Sequence, residues 1–126
     1  MEIAFIKTDK APKAIGPYSQ AVKAGGLVYL SGQIGLSPAT GELVTGGIEA
    51  QTNQVLENLG QVLLAAGTSF ERVVEATLYL VEMKDFTKVN SLYERAMGQN
   101  RPARATVQVA ALPRQALIEI KMTALA

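Results

Sequence analysis

The stretch "ARATVQVAALPRQALIEIKMTAL", residues 103–125, decides how the rest of the chain is assembled. Ala105, Val107 and Val109 alternate with Arg104, Thr106 and Gln108, and Ile118, Ile120 and Met122 alternate with Glu119, Lys121 and Thr123. A period of two is the mark of a strand. The spacing predicts strands over Ala103–Ala110 and Ala116–Leu125, flanking the turn "ALPRQ". If they form a hairpin closed by "ALPR" or "LPRQ", either register gathers the apolar sets on one face. Arg104, Thr106 and Gln108 then share the other face with Glu119, Lys121 and Thr123. On this reading the Arg104 strand is central, and its apolar side takes the helices.

The polar side admits two readings. Antiparallel sheets often leave one face in water. Alternatively, a second subunit covers it and encloses a polar pocket. Arg104 would then receive a carboxylate, because a guanidinium offers a planar fork that matches one. Glu119, partly dehydrated, would have a raised pKa and position or activate a water.

Working outward, Ile3 to Lys7 is a short strand signal, and "TDKAPKAIGPYSQ" is a long ordered turn punctuated by two prolines and Gly16. "AVKAGGLVYLSGQ" reads as two strands turning at Gly25-Gly26, and "LSPATGEL" as a loop. Apolar residues at helical spacing predict a helix over Ile48–Ala66, with Gly67 at C′. Gly60 inside it suggests close packing against the sheet. A strand follows over Val73–Glu82, then a helix over Phe86–Met97 with Asp85 as N-cap and Gly98 as its stop. The expected fold is α+β: a two-layer sandwich in which a mixed sheet carries both helices on one face. Residues 1–126 form one domain.

Composition limits the chemistry. There is no cysteine and no histidine, which excludes a thiolate nucleophile, a disulfide framework and an ordinary zinc site. Acid–base work falls to Glu, Asp, Lys, Tyr or bound water. Twelve basic against eleven acidic residues give a net charge of +1 without runs, so no basic footprint for nucleic acid is expected. The first ten residues lack a signal-peptide pattern and no apolar run approaches membrane length, so the expected setting is cytoplasmic. Charged residues make up only 18% of the chain, which suggests that some outer surface is covered in a homo-oligomer.

Four segments in order, "AIGPYSQAVKAGGLVYLSGQIG", "QTNQVLENLGQVLLAAG", "FTKVNSLYERAMG" and "RPARATVQVAALPRQALIEIKMTALA", resemble the RidA/YjgF family of enamine/imine deaminases from about Ala11 onward. The resemblance implies a chorismate-mutase-like homotrimer with ligand clefts between subunits. It also implies hydrolysis of 2-aminoacrylate, 2-iminobutanoate and 2-iminopropanoate to 2-keto acids and ammonia, with no cofactor and no metal. By the same resemblance Arg104 clamps the substrate carboxylate and Glu119 orients the attacking water. Tyr18, Ser31 with Gly32, and Asn90 line the pocket. Thr106 stands where many members have cysteine and is expected to act mainly through its backbone N–H. Without the resemblance, Tyr18 reads as a packed turn aromatic, Ser31-Gly32 as a β-bulge or strand end, and Asn90 as a solvated helix residue. The competing functional readings are a non-catalytic small-molecule sensor, an RNA-acting translation inhibitor or ribonuclease, and a chaperone-like trimer.

Overall fold

A computed structural model describes residues 2–126. The elements follow as β1 (Ala4–Ile6), β2 (Ala21–Ala24), β3 (Leu27–Leu30), α1 (Gly47–Ala65), β4 (Val73–Leu80), α2 (Phe86–Met97), β5 (Ala103–Gln108) and β6 (Ile118–Leu125). They form one six-stranded mixed sheet ordered β1-β2-β3-β6-β4-β5. β1, β2 and β3 are an antiparallel meander. β4 and β5, joined through α2, run parallel. β6 lies between β3 and β4 and is antiparallel to both.

The core lies between this sheet and the two helices. Val55, Leu59, Val62 and Leu63 of α1 and Val89, Tyr93 and Met97 of α2 are buried with Val28, Leu30, Leu78, Leu80, Ile118, Ile120 and Met122. Each fully buried side chain of this kind contributes about 1.5–3 kcal/mol. α1 ends as its sequence predicts. Gly67 takes φ 82°, its N–H donates to the Leu64 carbonyl, and the Thr68 N–H donates to that of Leu63 at 2.9 Å. This is the Schellman pattern, which needs a residue tolerant of positive φ at C′. α2 stops at Gly98 as expected (φ 61°), whereas Asp85 occupies the N-cap position without a side-chain hydrogen bond. Gly60 does pack closely, though against a different partner from the one expected. A Cβ there would lie 3.1 Å from the Phe70 ring, in the turn after α1, so it is a ring and not the sheet that crowds this position.

The larger correction concerns residues 103–125. β5 and β6 do not form a hairpin, because β4 lies between them. β5 is an edge strand rather than a central one, and its residues are mostly exposed. The face assignment changes with the pairing. Ala76 of β4 is opposite both Arg104 and Met122, and Tyr79 is opposite both Val107 and Glu119. Directly opposed residues project to the same face. Arg104, Thr106 and Gln108 therefore lie on the helix side with Ile118, Ile120 and Met122. Glu119, Lys121 and Thr123 lie on the open side with Ala105 and Val107. The crossover through α2 commits β5 to the outer edge of β4, and the more apolar β6 takes the doubly paired position.

Candidate functional site

In a single chain the expected site residues fall into two groups on opposite faces of the sheet. The first is built by the β4–α2–β5 unit. Asn100, just before β5, donates from its side-chain amide to the carbonyls of Phe70 (2.8 Å) and Val73 (2.9 Å), which ties the entry of β5 to the start of β4. Arg104 then lies beside α2. Its Nη1 donates to Asn90 Oδ1 at 2.6 Å, and its guanidinium lies 5.0 Å from the Tyr93 ring centre and 5.5 Å from that of Phe86. Asn90, Tyr93, Glu94, Met97, Arg101 and Arg104 line a cleft of about 380 Å³. Arg101 donates to the Gly98 and Asn100 carbonyls at 2.8 Å and makes an exposed 3.4 Å ion pair with Glu94, a pair worth little in water.

Tyr93 is 6% exposed, and burial raises its phenol above the ordinary value of 10.0, a shift partly offset by the nearby Arg104 and Arg101 charges. Among the described residues, neither the Tyr93 hydroxyl nor the buried Thr106 hydroxyl has a hydrogen-bond partner. A buried hydroxyl without a partner carries its desolvation cost uncompensated. Thr106→Val, which keeps the shape and removes that group, is therefore expected to raise the melting midpoint by about 3 °C in a thermal scan.

The second group surrounds Glu119 on β6. Three residues of the β3 extension, Leu30, Ser31 and Gly32, stand against two of β6, Lys121 and Met122, between the Tyr29–Thr123 pair and the Gln33–Ile120 bridge. This is a bulge of one residue, a device that commonly re-aims groups beside a site. It brings the Gly32 backbone against Glu119. A Cβ at Gly32 would overlap Glu119 Oε2 and come within 2.8 Å of Cδ. Any larger residue here would push the Glu119 carboxyl out of its seat. Burial in this seat is the cause that holds the Glu119 carboxyl above its ordinary value of 4.5.

Helix α1 supplies the supporting wall. The amide of buried Asn58 donates to the Leu36 carbonyl at 2.9 Å, and buried Gln51 accepts from the Leu117 N–H at 2.8 Å. Both bonds fix the loops that frame Glu119. The resulting cleft, about 300 Å³, includes Lys13, Tyr18, Gly32, Gln33, Arg114 and Glu119. Tyr18 is 54% exposed, so its ring is free to meet a ligand or another subunit. Ser31 is differently employed. Its hydroxyl donates to the Ser19 carbonyl, and its N–H to that of Gln20, which moors the Tyr18 segment to the end of β3.

The sequence reading missed several residues here. Arg114 was taken for part of a turn, yet it lines the Glu119 cleft and donates to the Gly41 carbonyl at 3.2 Å. It and Gln115 both adopt φ 60°, a left-handed conformation uncommon outside glycine. Phe86 and Tyr93 at the Arg104 cleft were also missed. Their spacing with Asn90, four and then three residues, was a usable signal, because it places all three on one stripe of a helix.

Residues 8–126 match the family described as Endoribonuclease L-PSP. The chain is 49% identical over 120 residues to the human 2-iminobutanoate/2-iminopropanoate deaminase, covering 95% of this chain and 88% of that one. It superposes with a TM-score of 0.94 on RidA from the Antarctic bacterium Psychrobacter sp. PAMC 21119, at 45% identity, with 98% of this chain and 99% of that one covered. E. coli TdcF with bound serine gives a TM-score of 0.93 at 36% identity, with 98% of each chain covered.

Proposed function

Because this chain belongs to the Endoribonuclease L-PSP family, with the RidA/YjgF reactive intermediate deaminases, we propose a hydrolytic reaction at a carbon–nitrogen double bond. The protein is a 2-iminobutanoate/2-iminopropanoate deaminase. It converts short-lived 2-imino acids, and the enamines that tautomerise to them, such as 2-aminoacrylate, into 2-keto acids and ammonia. The observation that carries this reading is near-half identity to the human deaminase over almost the whole chain, with Arg104 and Glu119 each set in a cleft.

The chemistry follows from those two groups. The iminium carbon is already electrophilic, so the site must hold the carboxylate and deliver one water. Arg104 binds the carboxylate through the N–H groups that Asn90 leaves free. Glu119 takes a proton as water adds to the carbon, giving a carbinolamine, and returns a proton to nitrogen as the C–N bond breaks. Ammonia leaves and the carbonyl forms as the hydroxyl proton passes to the departing ammonia, giving ammonium. Fixing water and substrate together contributes several kcal/mol by removing their translational and rotational freedom. Tyr18, the Gly32 backbone and the Thr106 N–H orient the substrate plane.

One chain cannot bring both groups to one substrate, since the sheet separates them. The reading therefore includes assembly into a ring of three in the chorismate-mutase-like manner, with the Arg104 cleft of one subunit meeting the Glu119 cleft of the next. Support comes from the open face, where Tyr29, Val107 and Leu125 are each at least 40% exposed, an apolar surface of the kind that oligomers cover.

The test is kinetic. An amino-acid oxidase generates the imine in place, and release of keto acid and ammonia is timed with and without the protein. Release no faster than in buffer overturns the assignment. Gly32→Ala gives a finer check. The added methyl displaces the flexible end of Glu119 while leaving the backbone in place, so kcat is expected to fall about 10- to 100-fold with little change in melting midpoint. RNA cleavage, which the family description names, finds little support in a chain with no histidine and a net charge of +1.

A further inference from the structure

Arg104 is an exposed residue at the edge of the sheet, yet its charged end has three partners on one helix. Phe86, Asn90 and Tyr93 recur at intervals of four and three, so α2 presents them in one stripe, one turn apart. The rings of Phe86 and Tyr93 lie 5.5 and 5.0 Å from the guanidinium carbon, within the range of attraction between a cation and an aromatic face. Asn90 fixes the rotation by accepting one N–H at 2.6 Å. Arg101, three residues earlier, is held differently, by the Gly98 and Asn100 carbonyls and an exposed ion pair with Glu94.

We propose that Phe86 and Tyr93 are positioning residues, an aromatic clamp that holds the Arg104 guanidinium against α2 before a carboxylate arrives. The functional part of this inference rests on Arg104 being the carboxylate anchor. A long, flexible side chain loses rotamer freedom when it binds, and a side chain already held loses less. The two rings divide the work. Tyr93 is buried and fixed by the core, whereas Phe86 is half-buried and closes the outer side. The Tyr93 hydroxyl has no partner among the described residues, so its ring, not its oxygen, performs the role.

The clamp can be read without substrate. In 15N relaxation of the arginine Nε–Hε groups, Arg104 of the wild-type protein is expected near the rigid end. Phe86→Leu should move Arg104 toward the mobile end, and Tyr93→Leu should do the same. Tyr93→Phe, which keeps the ring, should hold it rigid. An Arg104 already at the mobile end in the wild type, or unchanged in Phe86→Leu, overturns the clamp. Should Tyr93→Leu fail to fold, Phe86→Leu alone decides, because Phe86 is not fully buried.

Kinetics supply the second readout. Phe86→Leu is expected to raise KM for the imino acid about fivefold, with kcat little changed. In an Arg104→Ala background the same substitution should have no further effect, since there is no guanidinium left to hold. An equal loss in both backgrounds would mean a general packing role and overturn the proposal. The two readings fail separately: wild-type turnover by Arg104→Ala removes the anchor role, whereas the relaxation result judges the clamp itself.

Discussion

Arg104→Ala is expected to lower kcat/KM by about 10³-fold, equivalent to roughly 4 kcal/mol, with most of the loss in KM. A bidentate, charge-assisted contact to the substrate carboxylate disappears, and nothing else in that cleft replaces its geometry. Arg101 lies nearby but is engaged with Glu94 and with the carbonyls of Gly98 and Asn100. Arg104→Lys should recover only a small part, since an ammonium restores the charge without the planar fork. The fold is not at risk, because Arg104 is exposed and on an edge strand. Keto-acid release measured across a substrate series decides the matter, and an unchanged KM would remove Arg104 from the binding role.

Glu119→Gln is expected to act on the other parameter. It should lower kcat by about 10² to 10⁴-fold with KM nearly unchanged, because the group handles a proton in the reaction rather than the carboxylate. The pH dependence identifies it. Glu119 works as a base only when ionised, and burial holds its pKa above 4.5. The acid limb of wild-type kcat/KM should therefore fall off at a pH above that value, and the limb should vanish in Glu119→Gln. Stability moves the opposite way. A carboxyl whose folded pKa is raised contributes most favourably below its unfolded pKa, and that contribution is lost as pH rises through the folded value. Glu119→Gln should thus melt higher than wild type at neutral pH, with the gain shrinking in acid. A variant that loses kcat yet keeps the acid limb would assign that proton to another group.

These two variants also test the assembly. Each retains the half-site the other lacks. Refolded together in equal amounts, they should regain activity, with about a quarter of sites intact if subunits mix randomly in a ring of three with head-to-tail contacts. No recovery would place both groups in the same cleft, against the separation seen across the sheet.

The elements were legible in the chain because each is short and locally coded. Gly67 ends α1, Gly98 ends α2, and Gly25-Gly26 turns the hairpin, all by backbone conformations that glycine accepts readily. The pairing of β5 with β4 was not legible in the same way. "ALPRQ" is short enough to suggest a hairpin, and period two fixes which residues share a strand face without saying which neighbour the strand takes. The contrast between "ARATVQ" and "IEIKMTAL" held the clue: the bulkier apolar set belongs to the strand paired on both sides. The same limit applies to the site. Arg104 and Glu119 were identified by residue type and resemblance, but their separation across the sheet follows from pairing. Gly32 was identified by resemblance, while the reason for it, a carboxylate resting where a Cβ would be, appears only in three dimensions.

The position of β6 has a consequence for biosynthesis. It is made after the other five strands, yet it is the seam between the β1–β2–β3 meander and the β4–β5 pair. Until it emerges from the ribosome, β3 and β4 each present an open edge, and the sheet exists only as two unjoined parts. Such edges are templates for pairing with the wrong chain. The sheet must therefore wait for β6 before it can close. A stop codon just before Ile118 would release a chain that has Arg104 but lacks Glu119, with no means of joining the two halves of its sheet.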